Sequence, residues 1–173
     1  MRFCFLLLLP ALFGCTEWKY YAPTDASPRK SQALDLTVGR FFTYRRSACV
    51  SFRLISWNNQ SLKIPREVLI LEAGGEKLPI IEGAQAVQTA AFQRALRDYY
   101  GKTPDASDAS KLASEFYAPE TLELTPKVAL SRMLCYRTED AKEPYSFKLE
   151  GVQVNGQNVS LKPFEFKPMQ RPQ

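Results

Sequence analysis

Short segments in which apolar and polar residues alternate recur along this chain of 173 residues, and they constrain its fold most strongly. In ACVSFRLISW (48–57), Val50 and Phe52 point to one side and their neighbours to the other, as in a half-buried strand. The pair Asn155-Gly156, flanked by apolar residues, is typical of a two-residue hairpin turn. Further strands are predicted within 34–44, 66–81, 121–125, 127–137, 145–154 and 157–167.

The period of the pattern changes from two to that of a helix between residues 84 and 118. In AVQTAAFQRALRDYYG, Val87, Ala91 and Leu96 form one helical face, and a second helix is predicted within 105–119. We therefore predict a mainly β fold, an antiparallel β-sandwich of about seven to eight strands with a two-helix insertion. A partly open barrel is the alternative.

The first fifteen residues, MRFCFLLLLPALFGC, have the layout of an export signal, with a positive end followed by an apolar run. That run is about 11 residues long, whereas a membrane-spanning helix requires roughly 20. Its last four residues, Leu12-Phe13-Gly14-Cys15, resemble the lipobox of bacterial lipoproteins, which are cut before the cysteine. The resemblance implies that residues 1–14 are removed and that acyl chains on Cys15 anchor the protein in a membrane.

The same resemblance indicates which membrane holds the anchor. Thr16 stands where an aspartate retains related lipoproteins in the inner membrane, which implies the outer membrane, facing the periplasm. The aromatic residues after the anchor, Trp18, Tyr20 and Tyr21, then lie either at the lipid interface or on the folded domain.

The rest of the chain is predicted to contain one folded domain. Polar residues and prolines before this domain predict a flexible tether that extends up to roughly 60 Å. The predicted divisions are the signal peptide (1–14), the acylated cysteine and tether (15–33), the domain (34–168) with its helical insertion (84–118), and a C-terminal tail (169–173).

Two further cysteines, Cys49 and Cys135, would remain in the mature protein with Cys15. Because an exported chain enters an oxidising compartment, we predict that Cys49 and Cys135 form a disulfide. Closing the long loop between them would restrict the unfolded chain by about 4 to 5 kcal/mol. A redox-active pair is the less favoured interpretation, because the two cysteines have no CxxC spacing.

The composition excludes several kinds of catalytic site. The chain has no histidine, which excludes Ser-His-Asp and Cys-His catalysis and histidine metal sites, and it has no nucleotide-binding glycine motif. No cofactor or metal is predicted. Glu139, Asp140 and Glu143 form one carboxylate cluster, and Asp105 and Asp108 form another; we interpret both as solvated turn and capping residues, although a glycosidase could use such pairs.

Charge and surface composition favour a binding role. The formal net charge is +5 with both signs interspersed, so no nucleic-acid partner is predicted. We expect a non-enzymatic interaction, assembly or structural module that binds an envelope protein. The alternatives are a domain that binds lipid, glycan or peptide and, less favoured, a small carboxylate-dependent glycan hydrolase.

Two partner surfaces are predicted. One is the helical insertion, and the other mixes aromatic and arginine side chains of the kind enriched at interfaces. Alternation places the two phenylalanines of this second surface on opposite faces, so at least one is expected in the core. Its residues are Arg40, Phe41, Phe42, Tyr44, Arg45 and Arg46.

Overall fold

Antiparallel strands form most of the computed structural model, which describes residues 18–101, 109–139 and 141–169. The mainly β, sandwich-like fold with a helical insertion is confirmed. The strands of the described residues are β1 (Lys19–Pro23), β2 (Arg29–Lys30), β3 (Leu34–Tyr44), β4 (Ser47–Ser56), β5 (Leu62–Pro65), β6 (Leu69–Ala73), β7 (Glu76–Lys77), β8 (Thr121–Leu124), β9 (Ala129–Arg137), β10 (Tyr145–Leu149), β11 (Val152–Val154), β12 (Gln157–Val159) and β13 (Phe164–Met169).

The large sheet curls so that the chain leaving one edge pairs with the other edge. Its order is β7-β6-β10-β13-β1-β3-β4-β9, and β2 pairs with β3. After β7, the carbonyl of Pro79 accepts a hydrogen bond from the backbone N–H of Arg137 at 2.9 Å, and the N–H of Ile81 donates to Cys135 at 2.8 Å. The edge strand β9 is therefore covered, which removes an aggregation-prone edge.

In the described part of the insertion there are three helices, α1 (Gly83–Ala86), α2 (Ala90–Tyr100) and α3 (Ala109–Phe116). The sequence pattern predicted one helix where α1 and α2 are found. The side chain of Thr89 separates them, because it caps α2 by accepting a hydrogen bond from the N–H of Phe92 at 3.1 Å. Gly101 ends α2 with φ 62°. Within the described ranges no helix is long and apolar enough to cross a bilayer.

Two small sheets complete the fold. One pairs β5 with β8, and the other pairs β11 with β12. The second is the predicted hairpin, whose turn residues Asn155 and Gly156 have φ angles of 54° and 77°. Both residues tolerate positive φ, which a turn of this kind requires.

Residues 19–23 form an interior strand of the large sheet, which corrects the prediction of a flexible tether over 15–33. β1 pairs with β13 on one side and with β3 on the other. Tyr20 is 6% exposed and Tyr21 is 1% exposed, so these two rings belong to the domain core. The strand escapes sequence analysis because it is short and because its neighbour β13 lies at the far end of the chain.

Aromatic rings pack on both faces of β3. Phe41 stacks on Tyr21 at a centroid distance of 4.8 Å and meets Phe166 edge-on at 4.7 Å. On the other face, Phe42 meets Tyr20 edge-on at 5.1 Å, and α2 packs against β3 and β4. β3 is therefore covered on both sides, whereas alternation predicts one covered face.

Candidate functional site

The predicted lipidation site, Cys15, and the predicted signal peptide, 1–14, lie outside the described residues. The described chain begins at Trp18, and β1 begins one residue later. We call the end of the large sheet at which β1 begins the entry end, and the opposite end the far end. The entry end comprises residues 18–19, 44–47 and 137–145 without 140, and the far end comprises 31–34, 56–62, 125–129 and 154–157.

The predicted disulfide partners lie close to the entry end. Cys49 of β4 and Cys135 of β9 are directly opposite each other, with their Cα atoms 4.0 Å apart, and they are bonded in the structure. Both side chains are fully buried. The Sγ atom of Cys49 lies 3.8 Å from the hydroxyl of Thr89, so the junction of α1 and α2 covers the bond.

Two adjoining cavities open at the entry end, and cations line both. The smaller, of about 450 Å³, is lined in part by Lys19, Arg45 and Lys142. The larger, of about 920 Å³, shares Arg45 and adds Arg46 and Arg137. All five side chains belong to exposed residues, so their charges face water at one end of the sheet.

Few carboxylates neutralise these cations. Arg46 lies 3.5 Å from Glu139, and both side chains are exposed. Within the described ranges, no carboxylate lies within ion-pair distance of the other four cations, which are Lys19, Arg45, Arg137 and Lys142. The lining residues therefore carry an excess of positive charge.

Aromatic side chains form part of the same end. The ring of Trp18 stacks on that of Tyr44 at a centroid distance of 4.2 Å. The guanidinium of Arg45 lies over the ring of Tyr44, 5.4 Å from its centroid. The first described residue is thus tied to the β3–β4 turn.

A hydrogen bond from the core reaches the smaller cavity. The hydroxyl of Tyr21 donates to Oε1 of Glu143 at 2.7 Å. Burial, followed by this hydrogen bond, raises the pKa of Tyr21 well above its usual value, so the phenol stays protonated. Glu143 therefore contributes to the packing of β1 against the loop before β10.

The predicted carboxylate clusters take different places in the structure. Glu139 pairs with an arginine, and Glu143 accepts the tyrosine hydrogen bond. Asp105, Asp108 and Asp140 lie outside the described residues. Within the described part of the chain, no group of three or more Asp, Glu or Cys side chains could hold a metal ion.

The predicted aromatic–arginine surface is only partly a surface. Phe41 is fully buried and Phe42 is 4% exposed, so neither ring is part of an exposed surface at the entry end. Tyr44 is half-buried, and Arg45 and Arg46 are exposed at the turn between β3 and β4. Arg40 is exposed as well, but it lies within β3 and away from the entry end, so only the 44–46 turn of the predicted surface belongs to the entry end.

The far end carries two exposed hydrophobic side chains that the sequence analysis did not select. Trp57 is 45% exposed and Val128 is 55% exposed. The two residues lie on neighbouring segments, because the backbone N–H of Lys127 donates a hydrogen bond to the carbonyl of Ser56 at 2.8 Å. Trp57 could have been found from its place between an alternating strand and the turn residues that come after it.

A third surface feature is a groove of about 510 Å³ between α2 and the strands β1 and β3. Tyr20, Val38, Phe42 and Met169 supply its apolar lining. Arg94 of α2 lies over the ring of Tyr20, 6.0 Å from its centroid. Arg94 is also ion-paired with Asp98 at 2.9 Å, so the groove combines apolar walls with an ion pair.

Comparison of the chain with protein-family models, with curated proteins and with solved structures finds no match.

Proposed function

We propose that this chain is a lipid-anchored lipoprotein of a bacterial envelope that acts as a non-enzymatic interaction module. The observation that carries the proposal is the position of β1. This strand begins at Lys19, four residues after the lipobox cysteine, and it is built into the middle of the large sheet. A domain attached in this way would be held against the membrane instead of hanging from a long tether.

Acylation of Cys15 would supply the membrane attachment. One acyl chain binds a bilayer only marginally, whereas two or more hold a protein stably. Confinement to one membrane face would then raise the effective concentration of the domain for envelope partners. By the lipobox resemblance, the proposed location is the outer membrane, with the domain facing the periplasm.

The cysteine pair supports an oxidising compartment. Cys49 and Cys135 are bonded in the structure and fully buried. Structural disulfides of this kind persist in the periplasm and in other extracytoplasmic spaces, whereas reducing systems keep cytoplasmic thiols free. The disulfide and the export signal therefore favour the same location.

The far end is the proposed contact for an envelope protein. Trp57 and Val128 are exposed there, at the opposite end of β3 and β4 from the predicted anchor. Tryptophan is enriched among the residues that dominate binding energy at interfaces. A partner would then approach the side of the domain that faces away from the membrane.

Mass spectrometry of the membrane-extracted protein tests the anchor. We expect a mature chain that starts at Cys15 and carries a diacylglyceryl group and an amide-linked acyl chain. Cys15→Ser should abolish both the cleavage and the acyl mass, while Cys4→Ser, within the discarded segment, should change neither. An unmodified chain that starts at Met1 would refute the proposal.

Photo-crosslinking in cells tests the partner surface. A crosslinking amino acid at position 57 or 128 should yield one discrete adduct, because both side chains are exposed at the far end. The same amino acid at Glu165, exposed on β13, is the matched control. Equal yields at all three positions, or none, would overturn the assignment of the far end.

The groove beside α2 supports ligand binding as the second candidate function. Its volume of about 510 Å³ lies within the range of small-molecule sites. Ala22→Phe would place a ring in the groove, since Ala22 lines it. Native mass spectrometry should then show loss of a co-purifying lipid or peptide; a protein that carries none would exclude this candidate.

A further inference from the structure

We infer that the entry end is a membrane-contact surface whose cations bind the phosphate groups of anionic phospholipids. The inference rests on the proposed acylation of Cys15, and it adds an orientation to that anchor. The surface is formed by Trp18, Lys19, the 44–46 turn, Arg137 and Lys142. Its occupant is the headgroup layer of the bilayer that holds the acyl chains.

The chain between the predicted anchor and the domain is short. Only Thr16 and Glu17 separate Cys15 from Trp18, and three residues of fully extended chain span at most roughly 10 Å. Trp18 is stacked on Tyr44, and Lys19 is paired with Thr43 in the sheet. The entry end therefore cannot move far from the headgroups while Cys15 remains inserted.

The positive charge of the entry end favours contact with an anionic membrane. Electrostatic attraction at physiological salt extends over about 8 Å, which is comparable to the reach of the short linker. Lys19, Arg45, Arg137 and Lys142 have no ion-paired carboxylate among the described residues, so their charges are available. Basic residues held at this distance from an anionic membrane are attracted to it.

Acidic residues near the surface do not reverse its sign. Glu139 is paired with Arg46, and Glu143 accepts the hydrogen bond of Tyr21. Among the described residues that line the two cavities, five cations face two carboxylates, so the lining is positive.

The stacked pair of Trp18 and Tyr44 also favours contact with a membrane interface. Tryptophan and tyrosine are favoured at membrane interfaces, where the ring is partly apolar and the polar atoms stay wet. Trp18 and Tyr44 are half-buried and lie beside Arg45, which faces water. An amphipathic pair and a cation thus occupy the part of the domain that is nearest to the acyl chains.

The two tryptophans of the chain allow a direct test of this orientation. Trp18 lies at the entry end, and Trp57 comes directly after the last residue of β4, about 30 Å away along a strand of this length. The acylated protein would be purified from membranes as Trp57→Phe, which retains Trp18, and as Trp18→Phe, which retains Trp57. Each would be reconstituted into vesicles of phosphatidylcholine, with or without phosphatidylglycerol, that contain brominated lipids.

We expect bromine quenching of Trp18 to be several-fold greater than quenching of Trp57 in vesicles that contain phosphatidylglycerol. The difference should shrink in phosphatidylcholine alone and at high salt, because screening weakens the phosphate contacts. Added inorganic phosphate should not change Trp18 emission, since the occupant is a surface and not a free anion. Equal quenching of the two tryptophans would overturn the inference.

Charge reversal identifies the residues responsible. The triple variant Lys19→Glu, Arg45→Glu, Lys142→Glu should lower the quenching of Trp18 several-fold. The matched control reverses the charge of three exposed lysines away from the entry end and should leave the quenching of Trp18 unchanged. The control substitutions are Lys30→Glu, Lys127→Glu and Lys162→Glu. Equal effects of the two triple variants would show that net charge, and not this surface, causes the attraction.

Co-flotation with the vesicles distinguishes a missing anchor from a wrong orientation of the domain. Acyl chains on Cys15 should hold every variant on vesicles of either composition. A protein that does not float lacks the anchor, which refutes the proposed function. A protein that floats with both tryptophans equally quenched keeps its anchor and refutes only the orientation. Circular dichroism of each variant would confirm that the sheet is intact.

Discussion

The two ends of the β3–β4 hairpin differ in how the chain secures them. At the entry end, a disulfide, an aromatic stack and a tyrosine–carboxylate hydrogen bond join β1, β4, β9 and the loop before β10. At the far end, Asn58 donates a long hydrogen bond of 3.5 Å to Asn155, and Trp57 and Val128 remain exposed. The disulfide and the aromatic stack therefore lie where the chain enters the sheet, and exposed apolar surface lies at the opposite end.

Removal of the disulfide should have the largest effect on this difference. Cys49→Ala combined with Cys135→Ala should lower the free energy of unfolding by about 4 to 5 kcal/mol, because the bond closes a loop of 86 residues. Urea denaturation of the mature protein measures the loss. Reduction of the unsubstituted protein is the control and should cost a similar amount.

Hydrogen exchange locates the same effect. In the double variant, amides of residues 47–51 and 133–137, next to the entry end, should lose more protection than those of 53–56, near the far end. A uniform loss along β4 and β9 would contradict the contrast between the two ends.

Substitution in β1 should have the next largest effect. Tyr21→Ala removes a ring that is 1% exposed and stacked on Phe41, and it should cost about 3 to 4 kcal/mol. Lys19→Ala, on an exposed residue of the same strand, is the control and should cost little. If thermal or urea unfolding of Tyr21→Ala matches the unsubstituted protein, residues 19–23 are a tether after all.

Alkaline pH should lower the free energy of unfolding through two buried tyrosines. Burial raises the pKa of Tyr117 to about 12 and raises that of Tyr136 well above its ordinary value. Both stay neutral in the folded chain, while the unfolded chain ionises near pH 10. Their stabilisation is complete below pH 10 and is lost as pH rises towards 12, by about 1.4 kcal/mol per pH unit for each tyrosine.

Urea denaturation at several pH values between 9 and about 11.5 would measure this slope. Tyr136→Phe removes the ionisable group and should flatten it, although the variant also loses the hydrogen bond to the carbonyl of Leu69. An identical slope for Tyr136→Phe and the unsubstituted protein would contradict the assignment.

The parts of the fold that were predictable are those with a local signal. Alternation identified β4, and the Asn155-Gly156 turn was found where expected. The pairing of Cys49 with Cys135 followed from counting cysteines in an exported chain. In each case a few neighbouring residues, or one compositional fact, determine the outcome.

The parts that were missed depend on contacts between distant segments. Tyr20 and Tyr21 resemble tether residues until β13 pairs with them from the other end of the chain. The burial of both Phe41 and Phe42 requires α2 to cover the outer face of β3, which no strand pattern reveals. The candidate surface was predictable only in its exposed arginines, because burial decided which aromatic residues remained available.

The smallest expected change in stability comes from substituting the tryptophan at either end. Trp18→Ala should cost about 1 kcal/mol, because Trp18 is half-buried and stacks on Tyr44. Trp57→Ala should stay within about 0.5 kcal/mol, since its ring is 45% exposed. Both variants replace a tryptophan by alanine, so the difference between their urea midpoints reports how firmly each ring packs against its neighbours. A larger loss for Trp57→Ala would mean that the far end, and not the entry end, is the more firmly packed.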